Sequence, residues 1–259
     1  MARSFDAIDD LIDLGSPALL DNVNIFSWGA WIYPKSLGEA SLGAIVNKGS
    51  SSSSLRRQIQ MVATSTFQGR VGGTTVATAV AANNTITFNA WQFIAMTHST
   101  ANGLIKLYHA LPQNALAEVT YASQVAGATP SDDSALNWFI GNASAGNITF
   151  DGFISSVTFF NVQLALEELQ MLMRGKIPRR TSLIGHWELY GVASPEPDFS
   201  GNQNNGTVTG AVLADHAPVG RDFQRVRKRG ILVSAAPSPT LVQLERFQPR
   251  GVERGVFAK

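Results

Sequence analysis

At 259 residues the chain suits one large β-sandwich with extensions or two small domains; 44% apolar residues are ample for a core, and 15% charged is low for a cytosolic enzyme. The absence of cysteine excludes a disulfide framework and thiolate zinc sites, and no apolar run approaches the roughly 18 residues of a membrane span. The net charge of +1 is unevenly placed: residues 221–259 hold nine Lys/Arg against three Asp/Glu, and residues 1–220 hold eleven against sixteen, an acidic body with a basic end.

Residues 1–15 (MARSFDAIDDLIDLG) lack the apolar stretch of a secretory signal and enter strand-like sequence by Phe5. Phe5, Ile8, Leu11, Ile12 and Leu14 offer apolar contacts, with Asp6, Asp9, Asp10 and Asp13 clustered beside them. These four carboxylates, with Asp151 as a further candidate, could form part of an oxygen-ligand calcium site, or they could be turn-forming, solvent-facing acids. Calcium takes about six to eight oxygens and no second acidic cluster is visible, so the plainer reading is preferred.

Residues 26–34 (FSWGAWIYP) predict a strand whose alternation puts Phe26, Trp28, Ala30 and Ile32 on one face and Trp31 and Tyr33 on the other. Trp31 and Tyr33 are the candidate sugar-stacking residues; for Trp31 the competing reading is packing in the core or at an edge. Further strands are expected at 44–48, 58–63, 70–80, 85–88, 90–99 and 104–109, the last two joined by an Asn102-Gly103 hairpin turn, and again at 138–141. The Gly/Ser run at 49–54 reads as a loop tip.

Residues 149–175 (TFDGFISSVTFFNVQLALEELQMLMRG) pass from an aromatic and β-branched strand into a short amphipathic helix. Asp151-Gly152 reads as an early turn or bulge. Leu164, Leu169, Leu172 and Met173 recur at helical spacing over about three turns. Glu167 and Glu168 suit the first turn, Arg174 the last, and Gly175 the helix end.

This stretch resembles the closing strand and helix of laminin-G-like, concanavalin A-like domains, F-D-G-x-I-D-E-V-x-x-x-N-x-x-L-S-x-E-E-I. It keeps Phe150, Asp151, Gly152, Ile154, Val157, Asn161, Leu164, Glu167 and Glu168. Ser155 and Ser156 stand where the family has Asp-Glu, and Ala165 replaces its capping Ser, at a cost of about 1 kcal/mol. Residues 4–14 resemble the family's opening S-F-D-G-x-D-D-Y-V-D-L, with Ala7 where Gly is usual, and 26–34 and 90–99 resemble its F-T-I-S-A-W-V-x-P and x-W-H-H-V-A-V-T-Y strands. The resemblance implies an all-β, concanavalin A-like jelly-roll β-sandwich with one short helix and a C-terminal extension.

Residues 183–189 (LIGHWEL) and 198–210 (DFSGNQNNGTVTG) resemble segments that in this family precede the opening strand. Here they come last, so the order looks circularly permuted. Residues 1–213 are thus expected to form one sandwich, with 183–213 as permuted strands of it and Asn205-Gly206 as a turn. Residues 214–259 are expected to be a basic extension, apolar yet broken by Pro and Gly, that docks on a partner through Arg225, Arg227, Lys228, Arg229 and Phe247 or packs on its own domain. Four charges without interleaved aromatics make nucleic acid a weak partner reading.

Catalytic patterns are missing. The nearest approach to the paired carboxylates of sandwich glycosidases is Glu196-Pro197-Asp198, in a proline-containing turn. His98, His109, His186 and His216 show no metal-ligand spacing. A phosphate-binding glycine loop and a nucleophile elbow are absent. Residues 194–220 resemble the ends of laminin-G-like proteins encoded in phage and prophage settings. The expectation is a non-catalytic structural or attachment subunit of a bacteriophage virion, made in the host cytoplasm without a signal peptide and released by lysis. Its expected partners are other virion proteins, a cell-surface glycan, and copies of itself paired through edge strands. No cofactor is expected beyond a candidate Ca2+. The alternative is a free lectin module using calcium or an aromatic platform.

Overall fold

The computed structural model describes residues 1–49, 57–190 and 193–219; the expected partner-docking residues Arg225, Arg227, Lys228, Arg229 and Phe247 lie outside them. The first strands are β1 (Ala2–Asp6), β2 (Leu11–Gly15), β3 (Phe26–Pro34), β4 (Ala44–Lys48), β5 (Arg57–Val62), β6 (Thr66–Val71) and β7 (Ala77–Ala81). There follow β8 (Gln92–His98), β9 (Ile105–Ala110), β10 (Ala117–Glu118), β11 (Tyr121–Val125), β12 (Trp138–Ile140) and β13 (Asp151–Phe160). The helix α1 (Leu166–Met173) precedes β14 (Leu183–Trp187), β15 (Thr207–Thr209) and β16 (Val212–Ala214).

Two antiparallel sheets result. The first runs β10-β9-β8-β3-β13-β1-β16, and β14 also pairs with β13; the second runs β11-β7-β6-β5-β4-β12-β2-β15. The core lies between them because alternation sends Phe26, Trp28, Ala30 and Ile32 of β3 toward Val46, Ile59 and Met61 of the second sheet. Trp28, Trp138, Phe159 and Trp187 form its aromatic centre, with Trp28 edge-on to Trp138 at 5.0 Å and Phe159 edge-on to Trp187 at 5.2 Å. Each such side chain contributes about 1.5–3 kcal/mol by burial.

One end of this core is ionic. Lys48 and Arg57 point inward, opposite each other across β4–β5, and both reach Asp133. Lys48 Nζ also donates to Asp21 at 2.6 Å, and Arg57 to the Val23 carbonyl at 2.8 Å. An inward cation survives only with such partners, and Asp133 comes from a distant loop.

The outer face of the first sheet carries α1. Its Leu169, Leu172 and Met173 pack on Trp31, Phe93 and Phe160, and the Trp31 indole donates to the Met173 carbonyl at 3.2 Å. Trp31 is therefore 2% exposed, which corrects its expectation as a sugar platform: it is the floor on which the helix sits. The helix is shorter than expected, beginning at Leu166, with Arg174 just past its last turn. Ala165 has no side-chain acceptor to offer at the N-cap, but Glu168 reaches back to accept its N–H at 2.9 Å. Gly175 follows at φ +71°.

The strand break in β13 falls later than expected. Asp151 and Gly152 are its first residues, and the register shifts between Ser155 and Thr158 instead. β1 pairs with 151–154 and β14 with 157–160 on the same side, so the two serines lie where one partner gives way to the other. Ser156, at φ +50°, donates its hydroxyl to Glu188 at 2.8 Å. Ala7 also adopts positive φ, +64°, where the family's usual glycine would be unstrained. β14, β15 and β16 pair with β13, β2 and β1 respectively.

Other departures are local. Residues 70–80 divide into the end of β6 and the start of β7, and 85–88 form turns between Asn84 and Asn89, both at positive φ. Gly206 exchanges backbone hydrogen bonds with Glu196 as an isolated bridge rather than turning a hairpin, and the turn is at Gly210, φ +71°.

Candidate functional site

The open part of the first sheet's outer face lies beyond the helix, at the ends of β3 and β13. Tyr33 and Phe153 are register partners there, with rings stacked at 5.1 Å and 22°. Trp91, just before β8, meets Tyr33 edge-on at 5.7 Å and Phe153 at 6.2 Å. Ser4 of β1 pairs with Phe153, and Val212 of β16 pairs with Ser4 and is 62% exposed. One row thus crosses four strands, β3, β13, β1 and β16, and takes in Trp91 beside them, with three half-buried rings at its heart. Lys35 places its ammonium 4.6 Å from the Phe153 ring centre.

Gly152 lets this row form. A Cβ there would lie 2.0 Å from the Tyr33 carbonyl, so only glycine lets β13 approach β3 beside Phe153.

The acidic turn borders the row. Asp6 of β1 is the register partner of Asp151, one alternation beyond the Ser4–Phe153 pair. Ligand oxygens of Asp6, Asp9 and Asp10 lie within 4.8 Å of one another, a span that two calcium–oxygen bonds of about 2.3–2.6 Å cover. Asp6 also accepts the Ile8 N–H at 2.9 Å, as a turn-forming Asp does. Burial, together with the neighbouring Asp6 and Asp9 charges, raises the Asp10 carboxyl to about 6.

The sequence-predicted residues therefore divide. Tyr33 joins the exposed row; Trp31 does not. Asp6, Asp9 and Asp10 come together, whereas the Asp13 carboxylate is engaged by the Gly15 N–H at 2.8 Å and by Asn137, and Asp151 stands outside the cluster. The sequence reading missed Trp91 and Phe153 as site residues. The signal was available in part: both are aromatics in stretches expected to be strands, but which strands flank the one bearing Tyr33 comes from the sheet order.

The carboxylates nearest to a glycosidase pattern serve the fold. Glu196 accepts from Arg3 Nε at 3.1 Å and from the Tyr190 N–H at 2.8 Å. Asp198 accepts the backbone N–H groups of His186, Ser200 and Asn204. His109 is held neutral by burial, its proton-binding range pulled down to about 4. Among the described residues no helix is long and apolar enough to cross a membrane.

Comparison with known proteins follows the same lines. Among solved structures, a candidate carbohydrate-binding protein of Bacteroides ovatus superposes with a TM-score of 0.61 at 16% identity, covering 83% of this chain and 59% of that one. The family-40 carbohydrate-binding module of a Ruminococcus gnavus sialidase, solved with α2,3-sialyllactose, superposes with a TM-score of 0.52 at 14% identity, covering 67% of this chain and 97% of that one. Such low identities establish the fold alone, and the chain spans about three fifths of the first relative's length, 59%. A search of curated protein sequences gives no match. A family model matches residues 6–170, from the acidic turn through the aromatic row to the helix. With the sandwich, its covering helix and that match in agreement, the chain belongs to the concanavalin A-like lectin/glucanases superfamily.

Proposed function

We propose that this chain is a non-catalytic glycan-binding module that holds sugar on the row Tyr33, Phe153 and Trp91. The observation that carries this reading is three half-buried aromatic rings, two from the paired strands β3 and β13 and one from the residue before β8, on a part of the sheet that the helix leaves open. Aromatic rings offer flat apolar surface to sugar C–H groups, and the Tyr33 hydroxyl, the Trp91 indole N–H and the Lys35 ammonium supply hydrogen bonds beside them. The non-catalytic part of the reading is supported by the structural engagement of Glu196 and Asp198. Asp6, Asp9 and Asp10 would hold calcium, which would neutralise the turn bordering the row.

A glycan array followed by calorimetry on the leading sugars tests the proposal. Tyr33→Ala and Trp91→Ala are expected to abolish binding while circular dichroism stays native. Calcium is expected to raise the melting temperature, with Asp9→Asn removing the effect. Native-like variants that retain full sugar affinity would sink the assignment of the row.

The proposed setting is a bacteriophage virion, where the module would serve attachment. It is supported by the resemblance of residues 194–220 to proteins encoded in phage and prophage settings. Light scattering and particle incorporation, for the full chain and for a truncation after Gly220, test it. Incorporation that survives the truncation unchanged would remove the docking role from residues 221–259.

A further inference from the structure

The ionic end of the core holds an amine that sugar binding leaves without a role. Lys48 is the one buried lysine among the described residues, and its side chain has no exposure to solvent. Trp138, its register partner on β12, places an indole ring centre 5.4 Å from Nζ. Nζ also lies 3.3 Å from the Leu20 carbonyl, which the Trp138 indole N–H reaches at 2.9 Å. A primary amine is thus held still against an aromatic wall.

Two carboxylates meet this one nitrogen. Asp21 Oδ1 lies 2.6 Å from Nζ and Asp133 Oδ1 lies 2.8 Å from it. Their other bonds set them apart. Asp133 Oδ2 is taken by the Arg57 guanidinium, and Asp133 Oδ1 also accepts the Asn22 N–H at 2.8 Å. Asp133 therefore has a cation of its own and is fixed in place. Asp21 Oδ1 is approached by a second donor, the Ser16 hydroxyl, which shares its proton between that oxygen and the Ser134 carbonyl, each at 2.8 Å. Both donors converge on Oδ1 of Asp21, which leaves Oδ2 as the oxygen that can depart.

An amine, a carboxyl carbon and a second carboxylate in one dry site can form an amide. Groups held in such contact react with effective molarities of about 10⁵–10⁸ M, and donors on Oδ1 stabilise the oxyanion that forms when an amine adds to the carbon. We propose that Lys48 and Asp21 condense to an isopeptide bond, with Asp133 relaying the protons. Asp133 carries one Nζ proton to Asp21 Oδ2. The freed Nζ lone pair adds to Asp21 Cγ, which forms the N–C bond and puts negative charge on Oδ1. A second Nζ proton passes through Asp133 to Oδ2, the C–Oδ2 bond breaks, and the oxygen leaves as water. Asp133 ends ionised against Arg57, and no oxidant or cofactor is consumed. The amide replaces a charge pair that burial makes costly to keep. Asp21, 13% exposed, gives the water a way out, while the buried amine side resists its return. The bond would staple β4 to a loop residue 27 positions earlier, and it stands apart from the Tyr33 row.

The test is the intact mass of the full chain, folded during expression and denatured just before measurement. The chain is expected to run one water below its sequence mass. A protease digest is expected to yield the peptides carrying Asp21 and Lys48 as one branched species. Lys48→Arg and Asp21→Ala are each expected at full sequence mass. Asp133→Asn, which removes the relay, is expected to leave most chains unlinked, since a positioned acid–base group supplies about 10²–10⁴-fold in rate. Tyr33→Ala is expected to be linked as the unaltered chain is, so failure here and failure of the sugar row are distinguishable. Full sequence mass in the unaltered chain overturns the proposal, and so does a lost water that maps to any other pair of residues. Linkage in Asp133→Asn as complete as in the unaltered chain overturns the relay. The deciding mass is that of the unaltered chain, so a variant that fails to fold does not rescue the proposal.

Discussion

Arg3 and Glu196 stand 193 positions apart in the chain, yet their side chains meet at 3.1 Å with almost no exposure to solvent. The same guanidinium donates to the Ala211 and Ala193 carbonyls, so one N-terminal residue ties down two C-terminal loops.

Breaking this pair from one side leaves a buried charge unmatched. Glu196→Gln is expected to lower stability by about 3–5 kcal/mol, read by urea titration. Replacing both residues with apolar side chains of similar volume is expected to recover part of that loss. A double variant no more stable than Glu196→Gln would mean that the Arg3 bonds to the two carbonyls carry the effect.

Trp31 and Tyr33 sit two residues apart and are expected to fail differently. Trp31→Ala empties the space beneath α1 and is expected to cost about 3–5 kcal/mol. Tyr33→Ala is expected to cost about 1–2 kcal/mol while removing glycan affinity. Parallel thermal melts and binding isotherms separate the two roles.

Two buried groups pull the stability profile in opposite directions on acidification. Asp10, raised to about 6, takes up its proton in the folded chain before the unfolded chain does, so it adds stability as pH falls from about 6 to about 4. His109, lowered to about 4, resists a proton that the unfolded chain accepts, so it removes stability as pH falls from about 6.5 to about 4. In the presence of a chelator, Asp10→Asn is expected to show falling stability across this window and His109→Gln rising stability. Identical profiles for the two variants would refute both assignments.

Ala165 already has the extended backbone of an N-cap, at φ −71° and ψ 163°, but no capping oxygen. Ala165→Ser is expected to stabilise the fold by about 1 kcal/mol, with a matching rise in melting temperature. No rise would show that Glu168, which accepts the Ala165 N–H, already meets the needs of this helix end.

Much of the architecture was legible because it is written in short-range patterns. The alternation of residues 26–34, the Asn102-Gly103 turn and the change from strand to helix near residue 164 need no distant partner to be read, and β3, the β8–β9 turn and α1 follow them closely. The site was less legible. Alternation placed Trp31 and Tyr33 on one face, but only the docking of α1 decides that Trp31 is covered and Tyr33 open. Trp91 and Phe153 became neighbours of Tyr33 through strand register, which is set by contacts between segments 58 and 120 residues from it in the chain. The acidic turn lay within eight residues and could be seen at once, yet the separation of Asp13 from Asp6, Asp9 and Asp10 required the geometry of β2.

The sequence by itself determined the strand alternation, the helix with its missing cap, and the family. These depend on each residue's own side chain and its immediate neighbours. Only the tertiary structure decided which aromatic rings reach solvent, which cations find carboxylates and which polar atoms on β4, β5 and β6 are left without partners. Burial and hydrogen-bond satisfaction depend on what packs across a strand or a sheet, and that partner lies far away in the chain.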